Sequence, residues 1–295
     1  MTPDLLRGEL RGAEPMARHT SWRVGGPADR FYRPADLDDL VEFLSSLAPD
    51  EPVFWLGLGS NLLVRDGGLE GTVISTQSAL TGITRCEGGL VEVESGVSCA
   101  KLARRCSRWG LAEADFFAGI PGTTGGALAM NAGAFGGETW RHVVAIRVVN
   151  RSGVMRWREP REYRVGYRTV ISPQKDEWFV AARFEFPVAR PDETSEIKTL
   201  LAKRSATQPL GVPSCGSVFR NPAGDHAARL IEACGLKGLR IGGAEVSAKH
   251  ANFIVNLGGA TAADIEALIR RIQNAVRSQF DIDLEPEVRI VGRSE

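Results

Sequence analysis

Between Phe116 and Gly137 the chain runs through 22 residues without one charged side chain, and seven of them are glycine. The stretch reads Phe116-Phe117-Ala118-Gly119-Ile120-Pro121-Gly122-Thr123-Thr124-Gly125-Gly126-Ala127-Leu128-Ala129-Met130-Asn131-Ala132-Gly133-Ala134-Phe135-Gly136-Gly137. So many small residues predict a long loop. A second interruption follows the buried-strand pattern Val53-Phe54-Trp55-Leu56, which breaks into Gly57-Leu58-Gly59-Ser60-Asn61 and resumes at Leu62-Leu63-Val64. Backbone N–H groups hold phosphate only where they can approach it closely, and glycine removes the side chain that would block that approach. Both loops meet this need, although a glycine cluster is more often a tight turn. Neither carries a familiar nucleotide signature: Gly57-x-Gly59 lacks the third glycine of a dinucleotide-binding turn, and Gly119 to Gly126 has no Gly-Lys-Ser/Thr ending. A Rossmann domain and a P-loop are both disfavoured.

The remainder of the chain limits the partners. Its 295 residues are 43% hydrophobic, enough for roughly two domains or three small ones. The 36 Lys and Arg balance 36 Asp and Glu, so neither nucleic acid nor an anionic membrane is a general electrostatic partner, and any anionic ligand must be held locally. The N-terminal stretch has scattered charges and no apolar core or cleavage site, and no later run reaches membrane-spanning length. Five cysteines, Cys86, Cys99, Cys106, Cys215 and Cys234, show no C-x-x-C pair or zinc spacing, which suits reduced thiols in a cytoplasmic protein. The four histidines are far apart in sequence, and no metal is expected.

Phe31-Tyr32 reads as strand, followed by a helix from Asp36 to about Ser46 with Leu37, Leu40, Val41 and Leu44 on one face. Leu90-Val91-Glu92-Val93-Glu94 alternates like a half-buried strand, and Ser98 caps a short helix carrying Leu102 and Cys106. Strands are expected at Val143 to Val149, Val154 to Trp157 and Trp178 to Phe186, then a linker at 189–194 and a helix near Glu196 to Ala206. The longest helix begins at Thr261, whose Thr-x-x-Asp pattern with Asp264 is capping-box-like, with Ile265, Leu268, Ile269, Ile272 and Val276 as its buried stripe. A short strand enters after Pro286.

Gly57-Leu58-Gly59-Ser60-Asn61-Leu62-Leu63 and Gly119-Ile120-Pro121-Gly122-Thr123-Thr124-Gly125-Gly126 closely resemble, in order and separation, the two FAD loops of the UDP-N-acetylenolpyruvoylglucosamine reductase family. Thr20-Ser21-Trp22-Arg23-Val24-Gly25-Gly26-Pro27-Ala28 and Asn131-Ala132-Gly133-Ala134-Phe135-Gly136 extend the resemblance to four collinear matches. It implies FAD as cofactor, held by Gly57, Leu58, Gly59, Ser60, Asn61 and Leu62, by Gly119, Ile120, Pro121, Gly122, Thr123, Gly125 and Gly126, and by Asn131, Ala132 and Gly133.

Pro213-Ser214-Cys215-Gly216-Ser217-Val218-Phe219-Arg220-Asn221-Pro222 resembles the segment bearing the family's proton donor, which maps onto Ser217. Ser214 and Cys215 are neighbours that chemistry alone leaves open. Tyr167-Arg168 matches the Tyr-Arg pair whose guanidinium meets the substrate carboxylate, and Glu287 in Pro286-Glu287-Val288-Arg289 matches its partner glutamate. A guanidinium suits the task because its planar fork holds a carboxylate in two hydrogen bonds and stays charged. Asn221 matches a position near the nucleotide sugar, and Lys203, Arg204 and Gln208 lie where the family places diphosphate contacts, although such residues on a helix are usually just solvated. After Tyr-Arg the chain departs from the family pattern with Thr169-Val170-Ile171-Ser172-Pro173, which puts the packing around Arg168 in question. The interval from Arg168 to Ser217 fits the shorter branch, without the tyrosine-bearing loop.

The resemblance implies reduction of UDP-N-acetylglucosamine enolpyruvate to UDP-N-acetylmuramate by an NADPH-dependent UDP-N-acetylmuramate dehydrogenase of peptidoglycan precursor synthesis. NADPH reduces FAD and leaves, the substrate takes its place, and hydride passes from flavin N5 to the vinyl carbon. Arg168 and Glu287 then stabilise an enolate that Ser217 protonates. The expected fold class is α+β, a two-subdomain FAD-binding (PCMH/VAO-type) fold plus a C-terminal α+β substrate-binding domain. Its boundaries are an arm at 1–19, FAD-binding subdomains at about 20–82 and 83–190, a substrate domain at 195–283 and a returning strand at 284–295. The protein is expected to be a monomer. Two rivals remain at this stage: a flavin oxidase of the same fold, separable by oxygen consumption without NADPH, and a non-catalytic nucleotide-binding protein.

Overall fold

A computed structural model of the chain describes residues 6–192 and 194–294. The first five residues of the expected arm, Glu193 in the expected linker, and Glu295 lie outside the described residues. The described residues form two compact units: those within Met1–Arg11, Phe31–Leu58 and Gly71–Lys203, and those within Gly12–Arg30, Gly59–Glu70 and Arg204–Glu295.

The centre of the first unit is an antiparallel five-stranded sheet in the order Met155–Arg158, Val143–Asn150, Glu177–Glu185, Leu90–Glu94, Ile83–Arg85. Val91 and Val93 are fully buried opposite Phe184 and Ala182 while Glu92 and Glu94 point away, as strand alternation requires. Their core is closed by Leu102, Ala103 and Cys106 of the helix Cys99–Arg108, whose N-cap Ser98 accepts the Lys101 N–H. A second core forms where the helix Leu37–Ser46, capped by Asp36, buries Leu40, Phe43 and Leu44 with Tyr32, Ile74, Val149 and Val180.

The stretch expected to be a long loop differs from that reading. It contains a 3-10 turn at Asp115–Gly119, a helix at Thr124–Met130 and the paired strands Gly133–Ala134 and Gly137–Glu138. Thr123 caps the helix through the Gly126 N–H, Ala127 and Leu128 are buried, and Asn131 ends it in the left-handed region at φ 44. Glycine disfavours helix. At Gly125, however, a Cβ would lie 2.8 Å from the Ser95 Cβ, so the first turn packs only without one.

In the second unit an antiparallel sheet of Arg240–Ile241, Ala244–Val246 and Ile254–Asn256 packs on the helix Ala262–Phe280. Thr261 and Asp264 form the expected capping box, and Asp66 accepts the N–H groups of Ala262 and Ala263, each at 2.9 Å. Ile265, Leu268, Ile269, Ile272 and Val276 are all buried, each side chain contributing about 1.5–3 kcal/mol of transfer free energy. The strand after Pro286 is Arg289–Val291, running parallel to Leu62–Val64. Trp22 is fully buried in this core, its indole N–H donating to the Ile254 carbonyl at 2.7 Å.

Candidate active site

In the first unit the two glycine loops touch. A Cβ on Gly57 would stand 2.5 Å from Thr123 Oγ1, so this glycine is required by the neighbouring loop itself. The Gly119–Gly126 segment is sewn to Ser95–Cys99 by four hydrogen bonds: Gly125 N–H to the Ser95 carbonyl, Thr124 N–H and Oγ1 to the Val97 carbonyl, and Cys99 N–H to the Gly122 carbonyl. A Cβ on Gly119 would run into the Phe135 ring. Gly126 differs. It is exposed, and nothing stands closer to its Cβ direction than Thr123 Oγ1 at 3.7 Å. Pro121 is also exposed, Gly122 is half-buried, and Ile120 is 8% exposed. Chain packing therefore accounts for Gly57, Gly119 and Gly125, and Gly126 leaves room for a ligand.

Tyr167 and Arg168 form the two-residue turn of a hairpin whose strands, Arg164–Gly166 and Thr169–Ile171, pair antiparallel. The departure from the family pattern at Thr169 to Ile171 is thus accommodated as a regular strand. Arg168 has φ 53, the left-handed region that is costly for an L residue other than glycine, and its guanidinium turns back onto the chain. That group donates to the carbonyls of Asn131 at 3.4 Å and Gly133 at 3.1 Å, and lies 5.3 Å from the centre of the Tyr167 ring. Asn131 is 3% exposed; its side-chain NH2 donates to Glu138 Oε2 and the Gly166 carbonyl, and its Oδ1 accepts the Trp140 N–H. The Ala132 carbonyl takes the Thr139 N–H and hydroxyl. In this segment the buried amide acts as a rivet, and Arg168 is fastened to the same backbone.

The second unit holds Gly59 to Leu62 and the third-region residues. Gly59, at φ 68, lies against the His19 carbonyl, where a Cβ would collide, and its own carbonyl accepts the Ser21 N–H at 3.1 Å. Ser60 is half-buried, and Leu62 is buried in its strand. The Asn61 side-chain NH2 donates to the Glu287 carbonyl at 2.9 Å, and the Asn61 carbonyl accepts the Arg289 N–H at 3.1 Å. The Glu287 N–H donates to the Val218 carbonyl at 2.7 Å, next to Ser217. Asn61, Ser217 and Glu287, remote in sequence, are thereby brought together around Val218.

Burial separates Cys215 from the two serines. Cys215 packs in the core at 4% exposure, where burial and then the Glu287 charge push its thiol well above the usual range, whereas Ser214 and Ser217 are both half-buried. Asn221 is exposed and its Oδ1 accepts the Ala227 N–H at 3.1 Å, at the start of the helix Ala227–Ala233. Arg204 donates to Gln208 at 2.8 Å, one helical turn on, and burial lowers its guanidinium from the ordinary value. Lys203 is exposed, in the first unit.

Two positions were missed from sequence. Asn252, 4% exposed, holds the backbone of Phe219 by its side-chain amide; its signal was an asparagine inside the apolar run Ala251 to Val255. Ser95, fully buried under Gly125, gave no signal. A cavity of 720 Å3 also opens in the first unit beside Phe116, Phe135 and His142, and none of the expected site residues line it.

Gly126 thus leaves one side of the loop open, while its own N–H is taken by Thr123 Oγ1. Comparison with known proteins identifies both parts of the chain. A family described as FAD binding domain matches residues 28–158, and one described as UDP-N-acetylenolpyruvoylglucosamine reductase, C-terminal domain, matches residues 208–291. The chain is 62% identical to the UDP-N-acetylenolpyruvoylglucosamine reductase of Alkalilimnicola ehrlichii, over 98% of this chain and 96% of that one. It is 60% identical to that of Methylococcus capsulatus, over 98% and 95%. A crystal structure of the Thermus caldophilus reductase superposes with a TM-score of 0.80 at 32% identity, covering 97% of this chain and 99% of the other. The α+β class with an FAD-binding region and a distinct C-terminal domain, as read from the sequence, is the fold seen, and the chain belongs to the UDP-N-acetylenolpyruvoylglucosamine reductase family.

Proposed function

We propose that the protein reduces UDP-N-acetylglucosamine enolpyruvate to UDP-N-acetylmuramate with NADPH as reductant, as a monomeric cytoplasmic enzyme of peptidoglycan precursor synthesis. The observation that carries this reading is the 2.7 Å hydrogen bond from the Glu287 N–H to the Val218 carbonyl, which fixes Glu287 to the residue after Ser217. No helix among the described residues is long and apolar enough to cross a membrane.

FAD, when bound along the Gly57–Leu62, Gly119–Gly126 and Asn131–Gly133 segments, supplies the hydride that NADPH delivers to it. The work of the chain is electrostatic and protonic. Addition of hydride to the vinyl carbon is unfavourable unless the attached carboxylate absorbs the charge, and Arg168 takes that carboxylate in a charge-assisted pair. Its anchoring to the Asn131 and Gly133 carbonyls keeps the guanidinium preorganised. Glu287, held by its backbone to Val218, is assigned with Arg168 to stabilising the enolate. Ser217 then gives its hydroxyl proton to the α carbon. Tyr167, Asn221, Lys203, Arg204 and Gln208 are assigned to the nucleotide part of the substrate.

The test is direct: purify the protein, record its visible spectrum, and follow NADPH oxidation with and without UDP-N-acetylglucosamine enolpyruvate. A flavin spectrum and substrate-dependent NADPH oxidation are expected. A colourless protein that takes up no FAD, or NADPH oxidation indifferent to substrate, would overturn the proposal.

A further inference from the structure

The segment carrying Ser217 runs alongside Asn252 to Asn256. Ser214 bridges Val255 in antiparallel fashion, the Asn256 N–H donates to the Pro213 carbonyl at 2.9 Å, and the Val218 N–H donates to the Asn252 carbonyl at 2.9 Å. Between these fixed points one side advances from residue 214 to 218 and the other only from 252 to 255, so the first carries one residue more. The surplus falls at Cys215 to Ser217, where Gly216 adopts φ 81 with nothing within 4 Å of its Cβ direction. Glycine is needed there for the backbone angle alone. An extra residue in an antiparallel pair bends the strand and re-aims its side chains. Here Cys215 turns into the core and Ser217 stays accessible.

Immediately past this bulge stands Asn252. Its Oδ1 accepts the Phe219 N–H and its NH2 donates to the Phe219 carbonyl, both at 2.9 Å, so one residue satisfies Val218 N–H and both backbone polar groups of Phe219. Only an amide supplies one donor and one acceptor in that geometry; a carboxylate would set a second acceptor against the Phe219 carbonyl. On the opposite edge the Val218 carbonyl takes the Glu287 N–H, and Arg220 N–H donates to the Glu285 carbonyl at 2.9 Å.

We propose that Asn252 is a positioning residue for proton transfer: by clamping Val218 and Phe219 it fixes the exit of the Gly216 bulge, and with it the aim of the Ser217 hydroxyl and its spacing from Glu287. The inference rests on the reading of Ser217 as proton donor. A buried asparagine that merely stabilised the fold would affect every step alike; a positioning residue affects one.

The experiment uses the FAD-loaded enzyme and measures two half-reactions by stopped flow, FAD reduction by NADPH and flavin reoxidation by UDP-N-acetylglucosamine enolpyruvate. Asn252→Ala is expected to slow reoxidation about 10- to 100-fold, the scale of an ångström misplacement, while reduction and substrate half-saturation stay unchanged. The solvent deuterium isotope effect on reoxidation should rise. In a Ser217→Ala background the same substitution should cost nothing further, since there is no hydroxyl left to aim. Equal slowing of both half-reactions, or the full cost persisting without Ser217, would overturn the proposal. Asn252→Asp keeps the acceptor for the Phe219 N–H and is read in the same way if the alanine variant does not fold; failure of both to fold assigns Asn252 a structural role and ends the proposal. Wild-type reoxidation by Ser217→Ala alone would instead remove the proton-donor reading, independently of what Asn252 does.

Discussion

Replacing Asn131 separates hydrogen bonding from backbone strain in the rivet beneath Arg168. In Asn131→Ala three hydrogen bonds disappear, to Glu138, to the Gly166 carbonyl and from the Trp140 N–H, each contributing about 1 kcal/mol. Alanine must also adopt φ 44, which asparagine tolerates through its short polar side chain and alanine does not, adding about 1 kcal/mol. The expected loss is about 3–5 kcal/mol of unfolding free energy. Asn131→Gly loses the same hydrogen bonds but not the backbone share, so it should recover about 1 kcal/mol. Denaturant titrations followed by circular dichroism measure both. Because Gly166 begins the turn that carries Arg168, the glycine variant should also show a raised substrate half-saturation while still binding FAD. An alanine variant within about 1 kcal/mol of wild type, or a glycine variant less stable than alanine, would refute the reasoning.

Two further outcomes follow from single groups. Burial alone would raise the Asp39 carboxyl, but hydrogen bonds from the Tyr32 hydroxyl and the N–H groups of Ala35, Arg7 and Gly8 hold it below the ordinary carboxylate value. A depressed folded value contributes stability above the unfolded value of about 4, lost as pH falls through the folded one. Asp39→Asn should therefore be less stable than wild type near neutrality, the gap closing in acid; a gap independent of pH contradicts this. For Glu287, the role in enolate stabilisation predicts that Glu287→Ala slows reoxidation on the order of a hundredfold; a wild-type reoxidation rate in stopped flow would contradict it.

Elements fixed by local chemistry were legible in the sequence. Asp36, Ser98 and Thr261 each head the helix expected of them, because a side-chain cap and an apolar stripe lie within a few residues of one another. The helix Thr124–Met130 was not legible, since Gly125 satisfies a constraint imposed by Ser95, thirty residues earlier. The packing constraints on the glycines at 57, 59 and 119 were not legible for the same reason: their neighbours Thr123, His19 and Phe135 are invisible to a local pattern. The site residues drawn from the family resemblance were named individually, but the contacts that hold them were not. Arg168 on the Asn131 and Gly133 carbonyls, and Asn61 and Val218 on the Glu287 backbone, are long-range hydrogen bonds with no signature in sequence.

The most direct measurement is the pair of half-reactions in Ser217→Ala. Reduction of bound FAD by NADPH should proceed at the wild-type rate, and reoxidation by the enolpyruvyl substrate should slow by about a hundred- to ten-thousandfold, the range of a lost general acid. Reoxidation at the wild-type rate, or equal slowing of both half-reactions, would contradict the assignment of proton donation to Ser217.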